Sequence, residues 1–452
     1  MDKQLKLLNF HKMLANFANN LVGAFMILIV YQYTGQLWAA MIYGIAAHVV
    51  RLIFEISLQK AYSKYPQLML LIRVIPIVTY NVLVILLELQ FNVVFCIVGI
   101  CIFQALDYAL NNISKEVIFN YSSLNKSGAG SLGMTRVFEQ IGIIVALVLG
   151  GALLDFNKII VVTISIAIYL ISVIPLVGYY IKSRKNKSFN KDAISNAVTV
   201  LDKKQNASTS SKALSKHLLL TYGIVYFGFA FLDLLTGTFN LSVYISQGSF
   251  TTAGILSAIF NVVYMVGSYV AGKYNEEKDL TLFVSICCII IGLSVIALPF
   301  LSDKLDSLFF VVCIIYFIIG ALYPFISIFV LERMLSKTRI VGCSNSALIC
   351  REYGCVVAYS TGYAMGFISL SAIFITITIS MMISAFLIPT CEEITRKNLV
   401  DYLQNNEVTQ RKKRKHNEKP KTTTDKKVEN VTDESSSTPK KEATLKVKSK
   451  KD

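Results

Sequence analysis

The chain has 452 residues, of which 54% are hydrophobic and only 16% charged, against about 45–50% and 25% in a soluble globular protein. The excess falls in blocks of about twenty residues, the length that crosses a hydrocarbon core of roughly 30 Å, which excludes a soluble fold of one or two domains. The formal net charge of +16 sits in short loops beside those blocks and in the tail, a distribution that follows the positive-inside rule and does not make a nucleic-acid-binding face.

In chain order the apolar blocks predict spanning helices over 13–34, 37–58, 67–88, 91–113, 133–155 and 158–181, then 217–246, 250–272, 279–301, 307–331, 343–368 and 371–390. Each is read as a helix because an apolar segment in lipid must satisfy its own backbone hydrogen bonds. The first block is too long for the apolar core of a cleavable signal and reads as an uncleaved anchor. One set of loops carries Lys3, Lys6, Lys60, Lys64, Lys115, Lys126, Lys273, Lys278, Arg333, Lys337 and Arg339, while the opposite set offers only Lys158 and Lys304. Both termini are therefore expected on the cytoplasmic side. The expected organisation is an all-α membrane protein with twelve transmembrane helices: a six-helix bundle over 1–181, a polar cytoplasmic loop over 182–216, a second six-helix bundle over 217–390, and a basic tail over 391–452. The composition of that tail, rich in Lys, Thr, Ser and Glu, predicts disorder.

A displacement of 212 residues lays Gly142 on Gly354, Gly150 on Gly362, Tyr62 on Tyr274 and Ala109-Leu110 on Ala321-Leu322, and superposes the spans one for one. This register predicts a duplication, and two bundles so related suit alternating access around a solute site near the midplane. The nine cysteines lie almost entirely in apolar blocks, Cys96, Cys101, Cys287, Cys288, Cys313, Cys350 and Cys355 among them, without a CxxC pair. They read as packing residues rather than a disulfide framework or a zinc site. The four histidines, His11, His48, His217 and His416, are scattered and suggest no metal site. Gly128-Ala129-Gly130-Ser131-Leu132-Gly133 matches G-x-G-x-x-G but lacks the βαβ setting of a dinucleotide site, and reads as a flexible turn entering the fifth span. No Walker A sequence occurs, and no cofactor is expected.

Over about residues 10–390 the chain resembles the major facilitator superfamily, with its six-plus-six spans, midpoint loop and glycine pattern in the fifth span. Drug/proton antiporters of that superfamily carry G-x8-G-x3-G-P-x2-G-G there. This chain reads Gly133, Gly142, Ala146, Leu147, Gly150 and Gly151 in that register, with Leu147 in place of the proline. Small residues allow helix backbones to approach closely, and Gly133, Gly142, Gly150, Gly151, Gly354 and Gly362 are the expected packing glycines. The acidic and basic loop of the superfamily between spans two and three is reduced to Leu58-Gln59-Lys60-Ala61-Tyr62-Ser63-Lys64-Tyr65-Pro66. The resemblance implies secondary active transport, with spans one, four, seven and ten lining a central cavity and spans two and eleven facing each other.

A charge at the centre of a spanning helix costs about 2.5–3.5 kcal/mol on insertion scales, which makes such residues functional candidates. Asp107 in the fourth span shares a face with Gln104, Asn111 and Lys115; Asp233 in the seventh is in line with Tyr222, Tyr226 and Asn240. Spans eight and ten add Asn261, Tyr264, Tyr316 and Tyr323. In the arrangement implied by the resemblance, both aspartates face the cavity and bind a proton or a cationic group; the competing reading is a carboxylate bonded to a neighbouring helix for packing. Arg51 with Glu55, Arg136 with Glu139, and Arg351 with Glu352 form a second constellation nearer the cytoplasm. They are expected either to close the cytoplasmic side as a layer of ion pairs between the bundles, with Glu55 and Arg351 as partners, or to neutralise each other within each helix. Arg73 is expected to snorkel toward the cytoplasm, and Arg411 to Lys415 either hold lipid headgroups or simply reinforce orientation.

These features predict a monomeric multi-pass transporter of the cell membrane. Its expected partners are a small-molecule substrate, a proton or other coupling ion, and membrane lipids. Proton-coupled efflux of amphipathic or cationic compounds is the favoured activity, with metabolite import and a non-transporting sensor as alternatives. A membrane enzyme is disfavoured because the outer loops are short and hold no catalytic cluster.

Overall fold

Wherever the sequence supplies about twenty apolar residues in a row, the backbone closes its own hydrogen bonds as a helix. The computed structural model describes residues 3–122, 128–185, 209–274, 280–301 and 305–417, and every regular element among them is helical. Eleven helices are long and apolar enough to cross a membrane: α1 (Lys6–Thr34), α2 (Leu37–Ser57), α3 (Pro66–Glu88), α4 (Val93–Ser114), α5 (Met134–Phe156), α6 (Lys158–Ile181), α7 (Ala213–Gln247), α8 (Phe250–Tyr274), α9 (Thr281–Leu301), α10 (Leu308–Val341) and α12 (Leu370–Gln404). Between the last two lies α11 (Ser344–Met365), also long enough at 22 residues. It falls short in apolarity because Arg351, Glu352 and several hydroxyl residues interrupt it, and its polar groups are turned inward: Arg351 and Glu352 are both buried. Ile75, Val94, Leu282 and Phe310 are exposed on the outside of the bundle, the arrangement that lipid as solvent favours. The chain is a multi-pass membrane protein.

Four of the spans are not continuous: α3 breaks at Arg73 and α9 between Val295 and Leu298, and two further breaks lie in α1 and α7. α1 breaks between Gly23 and Met26. α7 is interrupted by a turn of 3-10 helix at Phe231–Asp233 before it resumes at Leu234. By contrast, the helix containing α5 runs unbroken from Gly128 to Phe156, as expected where Leu147 replaces a kinking proline. The Gly128–Gly133 segment is thus the start of a helix and not the flexible turn that its glycines suggested. A second correction concerns the tail. The helix that begins at Leu370 extends to Asn417, beyond the residue where disorder was expected. Propagating an existing helix needs no new nucleus, and Lys397 pairs with Glu393 one turn earlier at 2.8 Å. The described residues up to Leu403 form one compact unit, and those from Gln404 to Asn417 belong to another; most of the polar midpoint loop, Lys126 and the far tail lie outside the described residues.

Glycines set the closest helix approaches. A Cβ added at Gly142 in α5 would lie 2.2 Å from the carbonyl oxygen of Met13 in α1, and one at Gly354 in α11 would lie 2.2 Å from that of Gly223 in α7. The two glycines are 212 residues apart and their partners 210. The next pair differs in kind: Gly150 meets the backbone of Leu21 in α1, whereas Gly362 meets the side chain of Leu234 in α7. Gly151 instead meets Phe250 of α8, and Gly254 of α8 meets the Leu147 carbonyl of α5. This second set joins the first six helices to the last six. Asp155, at the end of α5, completes the joint: its Oδ1 accepts the Phe250 N–H at 3.0 Å, and its Oδ2 accepts the Thr251 N–H at 2.9 Å. A carboxylate from one bundle thus caps the first turn of a helix in the other.

Because the Gly142 and Gly354 approaches are backbone on backbone, Gly142→Ala and Gly354→Ala are each expected to cost about 1–3 kcal/mol, the usual range for overpacking. Gly178→Ala, with only Leu7 Cδ1 at 3.8 Å, is expected to leave the melting temperature of the detergent-purified protein unchanged or slightly raised. Thermal unfolding of the three variants checks this.

Candidate functional site

The break in α7 turns Asp233 away from the helix ladder and into the interior. There a cavity of about 310 Å³ lies between α2, α4 and α5 on one side and α7, α8, α10 and α11 on the other. Asp233 exposes its carboxylate to that space. Tyr323 of α10 donates a hydrogen bond to its Oδ1, and Tyr359 of α11 donates to its Oδ2 at 2.7 Å. Pro324, next to Tyr323, lies inside the helix containing α10 and removes one bond from its ladder. Tyr226, Asn261 and Tyr264 also line the cavity. Asn261 is held by donation to the Ser257 carbonyl at 2.7 Å, and the Tyr264 hydroxyl is 3.5 Å from Ser327 Oγ.

A chain of charges bounds the same space. Arg51 Nε lies 3.3 Å from Glu55 Oε1 in its own helix, while its Nη2 donates across to Glu352 of α11. Arg351 Nη2 donates to the other oxygen of Glu352 at 2.5 Å. Both expected arrangements are present together: each helix carries its own neutralising pair, and one bond joins the two bundles. The joining partners are Arg51 and Glu352, in place of the Glu55 and Arg351 that the sequence suggested. Arg136 bonds Glu139 at 3.3 Å, and Lys12 of α1 approaches Glu139 at 3.7 Å. Tyr62, on the short helix Gln59–Lys64 between α2 and α3, is buried. Burial, then the charges of Glu55 and Glu352, push its phenol well above the ordinary range, so it stays protonated at any physiological pH.

The other carboxylate is elsewhere. Asp107 is 0% exposed and takes a two-pronged bond from Arg73, Nε to Oδ1 at 2.5 Å and Nη2 to Oδ2 at 3.3 Å. Arg73 Nη1 reaches Asn111 Oδ1 at 3.0 Å, and its guanidinium packs 5.7 Å from the centre of the Tyr169 ring. Arg73, 1% exposed, therefore does not snorkel; a buried carboxylate within reach outweighs the route to water. Asp107, Asn111 and Gln104 are not among the residues that line the cavity. Gln104 accepts from Tyr43 and donates to the Gly23 carbonyl at 3.4 Å. Asn240 is engaged by Ser257 at 2.6 Å, and Tyr316 is packed between Phe239 and Phe260, both away from the lining. Gly133 lies outside the residues whose side chains are described.

Four residues at the site were not singled out from the sequence. Tyr359 falls on one face of α11 with Glu352 and Cys355, at i, i+3 and i+7, a spacing that marks it. His48 precedes Arg51 by three residues, and its ring lies 4.3 Å from that of Tyr359. Asn112 and Gln140 also line the cavity; Gln140 follows Arg136 by four positions, while Asn112 carried no signal beyond its polarity. Among the described residues no group of three His, Cys, Asp or Glu side chains is placed to hold a metal ion, and the nine cysteines are free.

No family model and no curated protein matches the sequence. Solved structures do match the fold. A bacterial homologue of the iron transporter ferroportin, in an outward-facing state, aligns with a TM-score of 0.58 at 12% identity over 87% of this chain and 100% of that one. The human organic anion transporter MFSD10 gives 0.56 at 10% identity, covering 86% and 100%. The Escherichia coli fucose:proton symporter FucP gives 0.52 at 15%, covering 87% and 98%. The chain shares its fold with these three transporters.

Asp107→Asn is expected to destabilise the protein by about 3–5 kcal/mol, because it strands a buried guanidinium. The double variant Arg73→Met, Asp107→Leu is expected to recover most of that loss. The yield of monodisperse protein and its melting temperature read both.

Proposed function

We propose that the chain is a secondary active transporter that carries a small solute across a membrane by alternating access, with Asp233 as its proton-accepting group. One observation carries the reading: a carboxylate at a helix break, near the middle of a span, faces a cavity bounded by both sets of six helices. Broken helices at the interface of two repeats are where transporters of this architecture bind solutes and coupling ions. The matched glycine contacts of α5 on α1 and α11 on α7 support a duplication, with α11 as a twelfth span. The basic loops are assigned to the cytoplasm, both termini with them, and the protein to the cell membrane as a monomer.

The cavity lies between two joints that would have to open in turn. On the side away from the basic loops, Asp155 caps α8 and the backbones of α5 and α8 touch at Gly151 and Gly254. Toward the basic loops, Arg51 bonds Glu352. When that bond parts, Arg51 keeps Glu55 and Glu352 keeps Arg351, so neither bundle is left with an unpaired buried charge. This lowers the cost of opening relative to an isolated pair.

Export of cationic compounds drew its electrostatic support from two carboxylates. Asp107 is occupied by Arg73, and Arg51, Arg136 and Arg351 line the cavity beside Asp233 and Glu352. An all-acidic crevice is not what the solute would meet. The three guanidiniums favour import or export of a polar metabolite over efflux of hydrophobic cations. In proteoliposomes with an imposed pH gradient, a panel of labelled polar metabolites and cations is expected to show solute-dependent proton movement. Asp233→Asn is expected to abolish the response to the gradient. Proton-driven transport at the unmodified rate in that variant would remove Asp233 from the coupling.

A further inference from the structure

The charged groups around the cavity divide into two kinds. Arg51 and Arg351 are nearly covered and both are bonded to Glu352, which is also covered. These three satisfy one another. Two charged side chains show substantial surface to the cavity: Asp233, which is exposed, and Arg136, whose side chain is 28% exposed. They come from opposite bundles, Asp233 from the turn in α7 and Arg136 from the first turn of α5. Each is held in place by its own bundle, Asp233 by Tyr323 and Tyr359, Arg136 by Glu139. Beside Arg136, one turn along the same face, Gln140 lines the cavity with its Oε1 buried and without a hydrogen-bond partner.

We infer that the solute is amphoteric: one small molecule that places a cationic group on Asp233 of one bundle and an anionic group on Arg136 of the other. The inference rests on the transport reading and narrows its substrate. A solute with only a cationic group leaves the exposed guanidinium facing it across a small, poorly hydrated space. A solute with only an anionic group meets Asp233 in the same way. A molecule with both satisfies the two ends at once, and charged hydrogen bonds are the strong ones in such a setting. The volume of about 310 Å³ is at the small end of ligand pockets, roughly 300–1,000 Å³, which suits a solute of amino-acid or short-peptide size. By bridging α5 and α7, such a solute would also draw the two bundles together.

The test is binding to the purified full chain in lipid nanodiscs, read as a shift in melting temperature. The probes are the twenty L-amino acids, glycylglycine and glycine betaine, each compared with an analogue lacking the carboxylate and an analogue lacking the cationic group. At least one amphoteric probe is expected to stabilise the protein, and both of its single-charge analogues to do so far less. Arg136→Gln and Asp233→Asn are each expected to weaken that binding about tenfold or more, the loss of one charge-assisted contact, while Arg136→Lys retains part of it and shows that the fold is intact. No response to any amphoteric probe, equal response to a single-charge analogue, or unchanged binding in Arg136→Gln overturns the inference. The underlying reading fails separately. If a probe binds as expected but shows neither uptake nor counterflow in proteoliposomes, the amphoteric site stands and transport falls.

Discussion

Lipid cannot solvate a charge, and this constraint explains where nearly every ionisable side chain of the bundle has gone. An isolated charge in hydrocarbon is costly, and pairing within the protein is the available remedy. Arg73 and Asp107 solve the problem inside the first six helices, completely and without surface. Arg136, Glu139 and Lys12 solve it on α5 and α1. The Arg51, Glu55, Glu352 and Arg351 set solves it twice, once within each helix and once between bundles. Asp233 is answered differently, by two phenols and the space in front of it. The proposed role of Asp233 rests on that difference, because a group held by neutral donors and facing a cavity can still exchange its partner.

Close backbone contact is the second element. Glycines bring α5 onto α1 and α11 onto α7 in the same register, so each bundle is stiff along its own seam. Gly151 and Gly254 bring α5 onto α8 across the bundles, where Asp155 adds charge-assisted bonds to a helix start. The interface between the two sets of helices thus carries one polar joint at Asp155 and α8 and another at Arg51 and Glu352. The missing proline at Leu147 belongs to the same picture: the helix is unbroken between Arg136 and Asp155.

Legibility in the sequence differed from residue to residue, for physical reasons. Eleven spans and their loops could be read because length and hydropathy alone decide whether a segment crosses lipid. The segment 343–368 was read as one more apolar block, although Arg351 and Glu352 dilute it below the apolarity of the other spans. The glycine contacts were legible as a register and not as partners. Asp107 and Asp233 looked alike in sequence, each a carboxylate in an apolar helix with amides or phenols on its face. What separates them is a guanidinium 34 positions away from one and a 3-10 turn under the other, and neither is visible in a periodicity.

The sequence by itself determined that this chain is a multi-pass membrane protein and which residue types sit at the depth where charge is expensive, because those follow from composition and spacing along one dimension. Only the tertiary structure decided which charge meets which. Pairing depends on the rotation of each helix about its own axis and on the neighbour it packs against. That rotation and that neighbour separate a buried ion pair such as Arg73 and Asp107 from an exposed carboxylate such as Asp233.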